Sequence, residues 1–414
     1  MSEKLYVKPL ANGLTLLGQQ MENVSSTALT LVLPAGAAYD PPAQVGAGAV
    51  AIEWCARGAG DRDTRQLNDA LDELGCEHQE NVLSEHLHFS AVQLGQSLPN
   101  VLAIVADMVQ RPRLEDATFE PCRELTLQDL ASLEDEPAHK CNMLLRENFF
   151  PHPLGRCVLG TDESLRGLTA QAVRKHITSR LSPHEAILAV AGDIDWNRLC
   201  DQAESLFGSW KAAPPPTIQL QPPRNGVTHI AKESAQAHIA LACPSVPMSG
   251  DLYYAARMAE TVLSGGMSSR LFTEVREKRG LVYSVFTRYT SLRNYAGLLT
   301  YAGTRPDLAQ QTFDVTVGEL RRLAEGIEPE EVSRARIQLK SSLVMQGEST
   351  AARAESMVSD WHHLRRLRTL SEVSAAIDGT TADDILNYLR QYPADNFTVL
   401  VIGPAPIDAA PLRK

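Results

Sequence analysis

The stretch GAGAVAIEWCARGAG, residues 46–60, decides how the chain divides, because the order of segments around it occurs twice. In the first half GLTLLGQQ (13–20) leads to STALTLVLPAG (26–36) and then to the helix-like AGAVAIEWCARG (47–58). In the second half GVTHIAKE (226–233) leads to AQAHIALACPS (235–245) and then to the helix-like YYAARMAETVLSG (253–265). Two long helical patterns also correspond, LEDATFEPCRELTLQDLASLEDEP (114–137) and IEPEEVSRARIQLKSSLVMQGEST (327–350). Both carry acidic residues in the first turn, where they suit the positive end of the helix dipole. Each half closes on a strand-like run, HEAILAVAGDI (184–194) and DNFTVLVIGPA (395–405).

Strand, paired helices and returning strand in each half give an α+β fold class with two homologous domains. Between them KAAPPPTIQLQPPRNG (211–226) holds five prolines in sixteen residues. Proline removes backbone donors and stiffens the chain, so this segment reads as an extended linker. The expected division is 1–212, a linker at 213–226, and 227–414.

Composition agrees. At 414 residues the chain exceeds the roughly 250–300 at which single cores stop growing. Apolar residues make up 44% and charged residues 21%, the balance of an ordinary globular protein. The net charge of −11, without a basic block, disfavours nucleic acid and anionic membrane as partners. The N-terminus MSEKLYVKPLANGLTLLGQQ lacks a basic-then-apolar leader, and no apolar run approaches the roughly 20 residues of a span. Seven cysteines without a CxxC argue against a disulfide framework and against a Cys-rich zinc site. A cytoplasmic, thiol-reduced protein is expected.

Four segments carry a family resemblance: the helix at 46–58, HPLGRCVLGTDESLRGLT (152–169), AVAGDI (189–194) and above all GGMSSRLFTEVREKRGLVYSV (265–285). With PLANGLTLL they resemble zinc-peptidase family M16, the pitrilysin, insulin-degrading and mitochondrial processing peptidase group, in its short bacterial form. The resemblance covers almost the whole chain. It implies, for each domain, a mainly antiparallel sheet with helices packed on one face, the metallohydrolase-type fold shared with LuxS.

Active members carry HxxEH on a helix. Histidines at i and i+4 share one helical face and reach one zinc, the intervening Glu acts as general base, and a later Glu completes the ligands. Alignment through the flanking glycines puts Val50 and Trp54 at the histidine positions, Glu53 at the base and Asp129 at the distal ligand. Cys122 stands where the family has a preceding Glu. Hydrocarbon and indole cannot donate a lone pair to zinc, and a tetrahedral catalytic site needs three protein ligands and a water. No metal is therefore expected in this chain. Glu53, with no metal-bound water to deprotonate, is expected to face solvent or pair with an Arg.

Other histidines offer weaker alternatives. His86 and His88 in SEHLHFS would share a strand face, but no third ligand follows at a recognisable spacing. His362 and His363 are adjacent on a helical segment and would point apart.

The second half keeps the family's other element, an Arg and a Tyr seven residues apart, as Arg276 and Tyr283. The resemblance implies that they bind the substrate backbone. Arg supplies a permanently charged donor fork, and a Tyr hydroxyl can donate to a developing oxyanion. Periodicity alone allows plainer roles: a solvated Arg276 beside a Glu274–Lys278 pair, and a core Tyr283 alternating with Leu281 and Val285.

The pattern resembles the metal-free subunit of a heterodimeric M16 zinc endopeptidase, inactive alone, which cleaves peptides in an enclosed chamber. The resemblance implies an HxxEH-bearing homologue as partner and supplier of zinc, with a homodimer as the arrangement in its absence. The rival expectation is a proteolytically inert scaffold, like the core subunits of a respiratory complex in the same family.

Overall fold

The structure is a computed structural model that describes residues 3–214 and 217–413. In the first half β1 (Lys4–Pro9), β2 (Thr15–Gln20) and β3 (Ser26–Leu33) precede α1 (Ala47–Cys55). The short strands β4 (Gly58–Ala59) and β5 (Arg62–Asp63) lead to α2 (Thr64–Glu73), β6 (Glu77–Val82) and β7 (Leu87–Leu94). Five helices follow: α3 (Leu98–Gln110), α4 (Asp116–Ser132), α5 (Pro137–Phe149), α6 (Asp162–Gly167) and α7 (Ala170–Thr178). The half ends on β8 (Ile187–Gly192) and α8 (Trp196–Phe207).

The second half runs β9 (Val227–Ala231), β10 (Ala237–Ser245), α9 (Tyr253–Ser264) and a π-helical turn at Phe272–Glu277. The strands β11 (Val282–Ser291) and β12 (Ala296–Thr304) precede α10 (Ala309–Arg322), α11 (Pro329–Gly347) and α12 (Thr350–Leu364). Helices α13 (Leu370–Gly379) and α14 (Ala382–Gln391) lead to the last strand, β13 (Thr398–Gly403).

One sheet has the order β1-β2-β8-β3-β7-β6 and the other β11-β12-β10-β13-β9. Pairing is antiparallel throughout each sheet except at β2–β8 and β9–β13. Those two parallel pairs fall at equivalent places in the halves. The repeat read from the sequence is therefore a repeat of topology.

Period-two alternation sends β3 in two directions. Leu29, Leu31 and Leu33 join the core that includes Val50, Trp54 and Phe119, while Ala28 and Val32 join a second cluster with Leu17 and Ile187. A strand buried on both faces reads as a nearly continuous apolar run, which is what STALTLVL is.

The chain forms two compact units whose segments interleave. Unit 1 comprises Met1–Ser132, Arg156–Leu220 and Gln346–Thr369; unit 2 comprises Leu133–Gly155, Gln221–Met345 and Leu370–Lys414. Helix α12 thus belongs to unit 1, although it follows the linker. Its Ala354, Met357 and Val358 cover Leu17, Ala28, Val32 and Ile187 on the sheet. Arg353 Nε donates to Gln19 Oε1 at 2.7 Å, and Thr30 Oγ1 donates to Glu355 at 2.9 Å. Helix α5 is the counterpart in unit 2. It buries Cys141, Leu145 and Phe149, and Cys141 Sγ lies 3.6 Å from the carbonyl of His238 on β10. Gly297 of β12 makes room for the Phe149 ring, which would lie 2.4 Å from a Cβ there.

Helices packed on one face of each sheet were expected; in addition, the opposite face of each sheet takes one helix from the other half of the chain. The described part of 213–226 has no helix or named strand, only an isolated bridge from Gln221 to His152. Residues 215 and 216 lie outside the described residues.

Candidate functional site

Helix α1 begins at Gly46, whose φ of 90° is a left-handed conformation that favours glycine. A Cβ there would also meet the carbonyl of Leu159 at 2.5 Å. The first turn has no side-chain cap from Gly46 itself. Asp40, buried, takes that part: its two oxygens accept from Gly46 N at 2.9 Å and Gly48 N at 3.0 Å. His176 of α7 lies 3.2 Å from the same carboxylate.

This start aims Val50 and Trp54 inward, and both are 0% exposed. Burying a valine side chain stabilises by about 1.5–3 kcal/mol. Trp54 is fixed on every side. Its Nε1 donates to the carbonyl of Glu115 and to Thr118 Oγ1, both at 3.0 Å, so the indole keeps its polar atom satisfied. Phe119 of α4 meets its ring edge-on at a centroid distance of 5.0 Å, and the Arg174 guanidinium of α7 stacks at 4.9 Å. The position that the sequence resemblance assigns to the second histidine is occupied by a packed, hydrogen-bonded aromatic.

Glu53 keeps 37% of its side chain exposed and faces Arg57, one turn on, at 3.8 Å. Partial burial raises its pKa; Arg57 opposes that, and the nearby Asp129 and Glu80 carboxylates add to it. Asp129 is exposed on α4, and Cys122, two turns earlier on the same helix, is buried. Burial pushes the Cys122 thiol up, with Arg57 again opposing. Among the described residues no group of three or more His, Cys, Asp or Glu is placed to hold a metal. The side chains at the positions that the resemblance assigns to HxxEH do not fit a zinc ion, since Val50 and the Trp54 indole offer it no lone pair.

The histidines set aside in the sequence come together instead. His86 and His362 rings meet edge to face at 4.5 Å, and His362 and His363 at 4.7 Å. His88 Nε2 lies 2.7 Å from Glu355, and His362 Nε2 lies 3.3 Å from Glu85. The rings pack edge to face, and no group of three ligands is placed to hold a metal among the described residues. Desolvation, reinforced by the surrounding imidazoles, lowers the pKa of His86 to about 3, with Glu85 opposing. Nothing in the sequence signals this cluster, because it joins the start of β7 to a helix more than 270 residues later.

In unit 2, Arg276 and Tyr283 are adjacent. The guanidinium carbon of Arg276 lies 5.2 Å from the Tyr283 ring centroid and 4.9 Å from that of Phe272. Two local irregularities place them. Residues Phe272–Glu277 form a π-helical turn, with Lys278 N donating to Thr273 O at 2.9 Å. The register of β11 on β12 then slips between Val282 and Ser284, so that Tyr283 is the extra residue of a β-bulge. A bulge re-aims a side chain, and Tyr283 is 81% exposed while Leu281 and Val282 are buried. The core tyrosine that simple alternation allows is thus excluded.

Glu274 is taken by two other cations. Lys278 Nζ lies 2.7 Å from its Oε1, and Arg279 Nη1 lies 2.7 Å from its Oε2. That ion pairing holds the Glu274 pKa down at about 2. Arg276 is exposed, and the two ring faces flank its guanidinium. The sequence pointed to Arg276 and Tyr283; it offered no reason to single out Phe272.

Comparison with known proteins agrees with this geometry. Residues 16–162 match the family model for insulinase (peptidase family M16), and residues 167–339 match that for the peptidase M16 inactive domain. An uncharacterized zinc protease of Streptomyces coelicolor is 30% identical over 95% of this chain and 88% of its own length. One from Rickettsia felis is 27% identical over 98% of both chains. Among solved structures, a peptidase M16 inactive domain from Pseudomonas fluorescens superposes with a TM-score of 0.89 at 18% identity, covering 98% of this chain and 99% of that one. A Helicobacter pylori protease gives 0.88 at 17% identity, covering 97% and 100%. At these identities the structural likeness shows the fold alone. The matched family models and the extent of the sequence relationship place the chain in peptidase family M16.

Proposed function

We propose that the chain is the metal-free, substrate-binding subunit of a heterodimeric M16 zinc endopeptidase. A homologue bearing HxxEH would supply zinc and the general base; this chain would supply Arg276 and Tyr283. The observation that carries the reading is the contrast between the two places. Val50 and Trp54 are sealed into a core, whereas Arg276 and Tyr283 stand together in solvent. An exposed tyrosine raised on a bulge beside an exposed arginine contributes little to stability, so its placement fits a binding role. Arg276 would donate its fork to peptide carbonyls, and the Tyr283 hydroxyl would donate to the oxygen of the attacked carbonyl. Among the described residues no helix is long and apolar enough to cross a membrane, and we place the complex in the cytoplasm.

The test is metal analysis and a quenched-peptide assay on the purified chain, alone and mixed with an HxxEH-bearing homologue from the same genome. The expected result is neither zinc nor cleavage alone, and cleavage by the pair that exceeds the homologue's own. Stoichiometric zinc with activity in the isolated chain would overturn the reading. A homologue equally active with and without this chain would leave the inert scaffold in its place.

A further inference from the structure

Phe272 lies four residues before Arg276 on the π-helical turn and is only partly buried. Its ring and that of Tyr283 both lie within about 5 Å of the Arg276 guanidinium, inside the roughly 6 Å over which a cation is drawn to an aromatic face. The neighbouring carboxylate that could capture Arg276, Glu274, is already held by Lys278 and Arg279. The result is a charged fork fixed by ring faces, which attract a cation without occupying its N–H donors. An arginine held by a carboxylate would have those donors filled; one held by nothing would lose more side-chain entropy on binding.

We propose that Phe272 is a positioning residue for the substrate-binding arginine: Phe272 and Tyr283 hold Arg276 by its faces, so that its N–H fork is preorganised and open to a peptide carbonyl or carboxylate. The inference rests on the substrate-binding role given to Arg276 above. Phe272 touches no substrate; it acts through Arg276.

The test uses the active pair of full-length chains and three substitutions here: Phe272→Leu, Phe272→Trp and Arg276→Ala. Removal of one ring face is expected to lower kcat/KM by about 2–5-fold, the worth of one exposed cation–π contact. The effect should appear in KM, with the thermal midpoint unchanged. Phe272→Trp keeps a ring face and is expected to hold or restore activity. In the Arg276→Ala background, Phe272→Leu should have no further effect. A second readout needs no turnover: in selectively labelled protein the Arg276 side-chain protons, shielded by the rings, should shift downfield in Phe272→Leu and not in Phe272→Trp.

The inference is overturned if Arg276→Ala lowers turnover while Phe272→Leu does not, or if the Phe272→Leu loss persists undiminished without Arg276. If Arg276→Ala has no effect on the pair, the substrate-binding reading itself falls and takes the positioning role with it. Should Phe272→Leu fold poorly, Phe272→Trp alone decides between arms: activity retained with the ring shift preserved supports the stacking role, and activity retained with the shift abolished refutes it.

Discussion

The two motifs differ sharply in the two halves of the chain. On α1, the positions that the family resemblance assigns to histidines hold Val50 and Trp54, both fully buried. In unit 2, Arg276 and Tyr283 stand seven residues apart and both are exposed. The physical difference is what each side chain would cost to change. Trp54 is tied to Glu115, Thr118, Phe119 and Arg174, so it is now part of what holds α1, α4 and α7 together. Tyr283 stands in solvent against Arg276. An exposed side chain that folding does not require is free to meet another molecule; a residue locked into the core is not.

Trp54→Ala should show the largest effect. Loss of a fully buried Trp is expected to cost about 3–5 kcal/mol, read from the denaturant midpoint. A loss below about 1 kcal/mol would mean that the pocket around Trp54 remains adaptable, and the contrast between the halves would weaken.

Tyr283→Phe should do the reverse. Removing one donor to an oxyanion is expected to lower turnover of the reconstituted pair by about 10²–10³-fold. Stability should stay within about 0.5 kcal/mol, because the hydroxyl is exposed. Full activity in both this variant and Arg276→Ala would end the proposed division of labour.

Acid should act on unit 1 with intermediate strength. A histidine in water titrates near 6.5, whereas His86 in the folded chain titrates at about 3. A group depressed on folding contributes stability that is complete above its unfolded pKa and is lost as pH falls toward the folded one. Between about pH 6.5 and about pH 5 this site alone should cost about 2 kcal/mol. His86→Gln should flatten that part of the stability curve, as measured by denaturant titration at each pH. An unchanged slope would show that the α12 junction is not the acid-sensitive element.

Glu53→Gln should have the smallest effect. The carboxylate is partly exposed, and its ion pair with Arg57 at 3.8 Å is weak. Stability is expected to change by less than about 0.5 kcal/mol and turnover of the pair not at all. A loss of turnover would give the old general-base position a present role.

Much of the fold was legible because it is local. STALTLVL reads as a strand by its nearly continuous apolar run, and the acidic first turns of α4 and α11 mark where long helices start. The crossing of α5 and α12 was not legible. A helix amphipathic pattern states that a face must be covered and says nothing of which sheet covers it. The histidine cluster was hidden for the same reason: the His86/His88 and His362/His363 pairs each look separate, with nothing in either segment that points to the other. Tyr283 was ambiguous because alternation assumes an unbroken ladder, and the bulge at Val282/Ser284 breaks it.

By itself the sequence determined the repeat and the family, and it showed that valine and indole stand on α1, side chains that offer zinc no lone pair wherever the chain puts them. Tertiary structure decided how those side chains pack and how Arg276 and Tyr283 are presented. Packing turned Trp54 into a structural centre, and a π-helical turn followed by a bulge set Arg276 between two rings. Those outcomes depend on hydrogen-bond register and on contacts between residues distant in the chain, which local residue patterns do not encode.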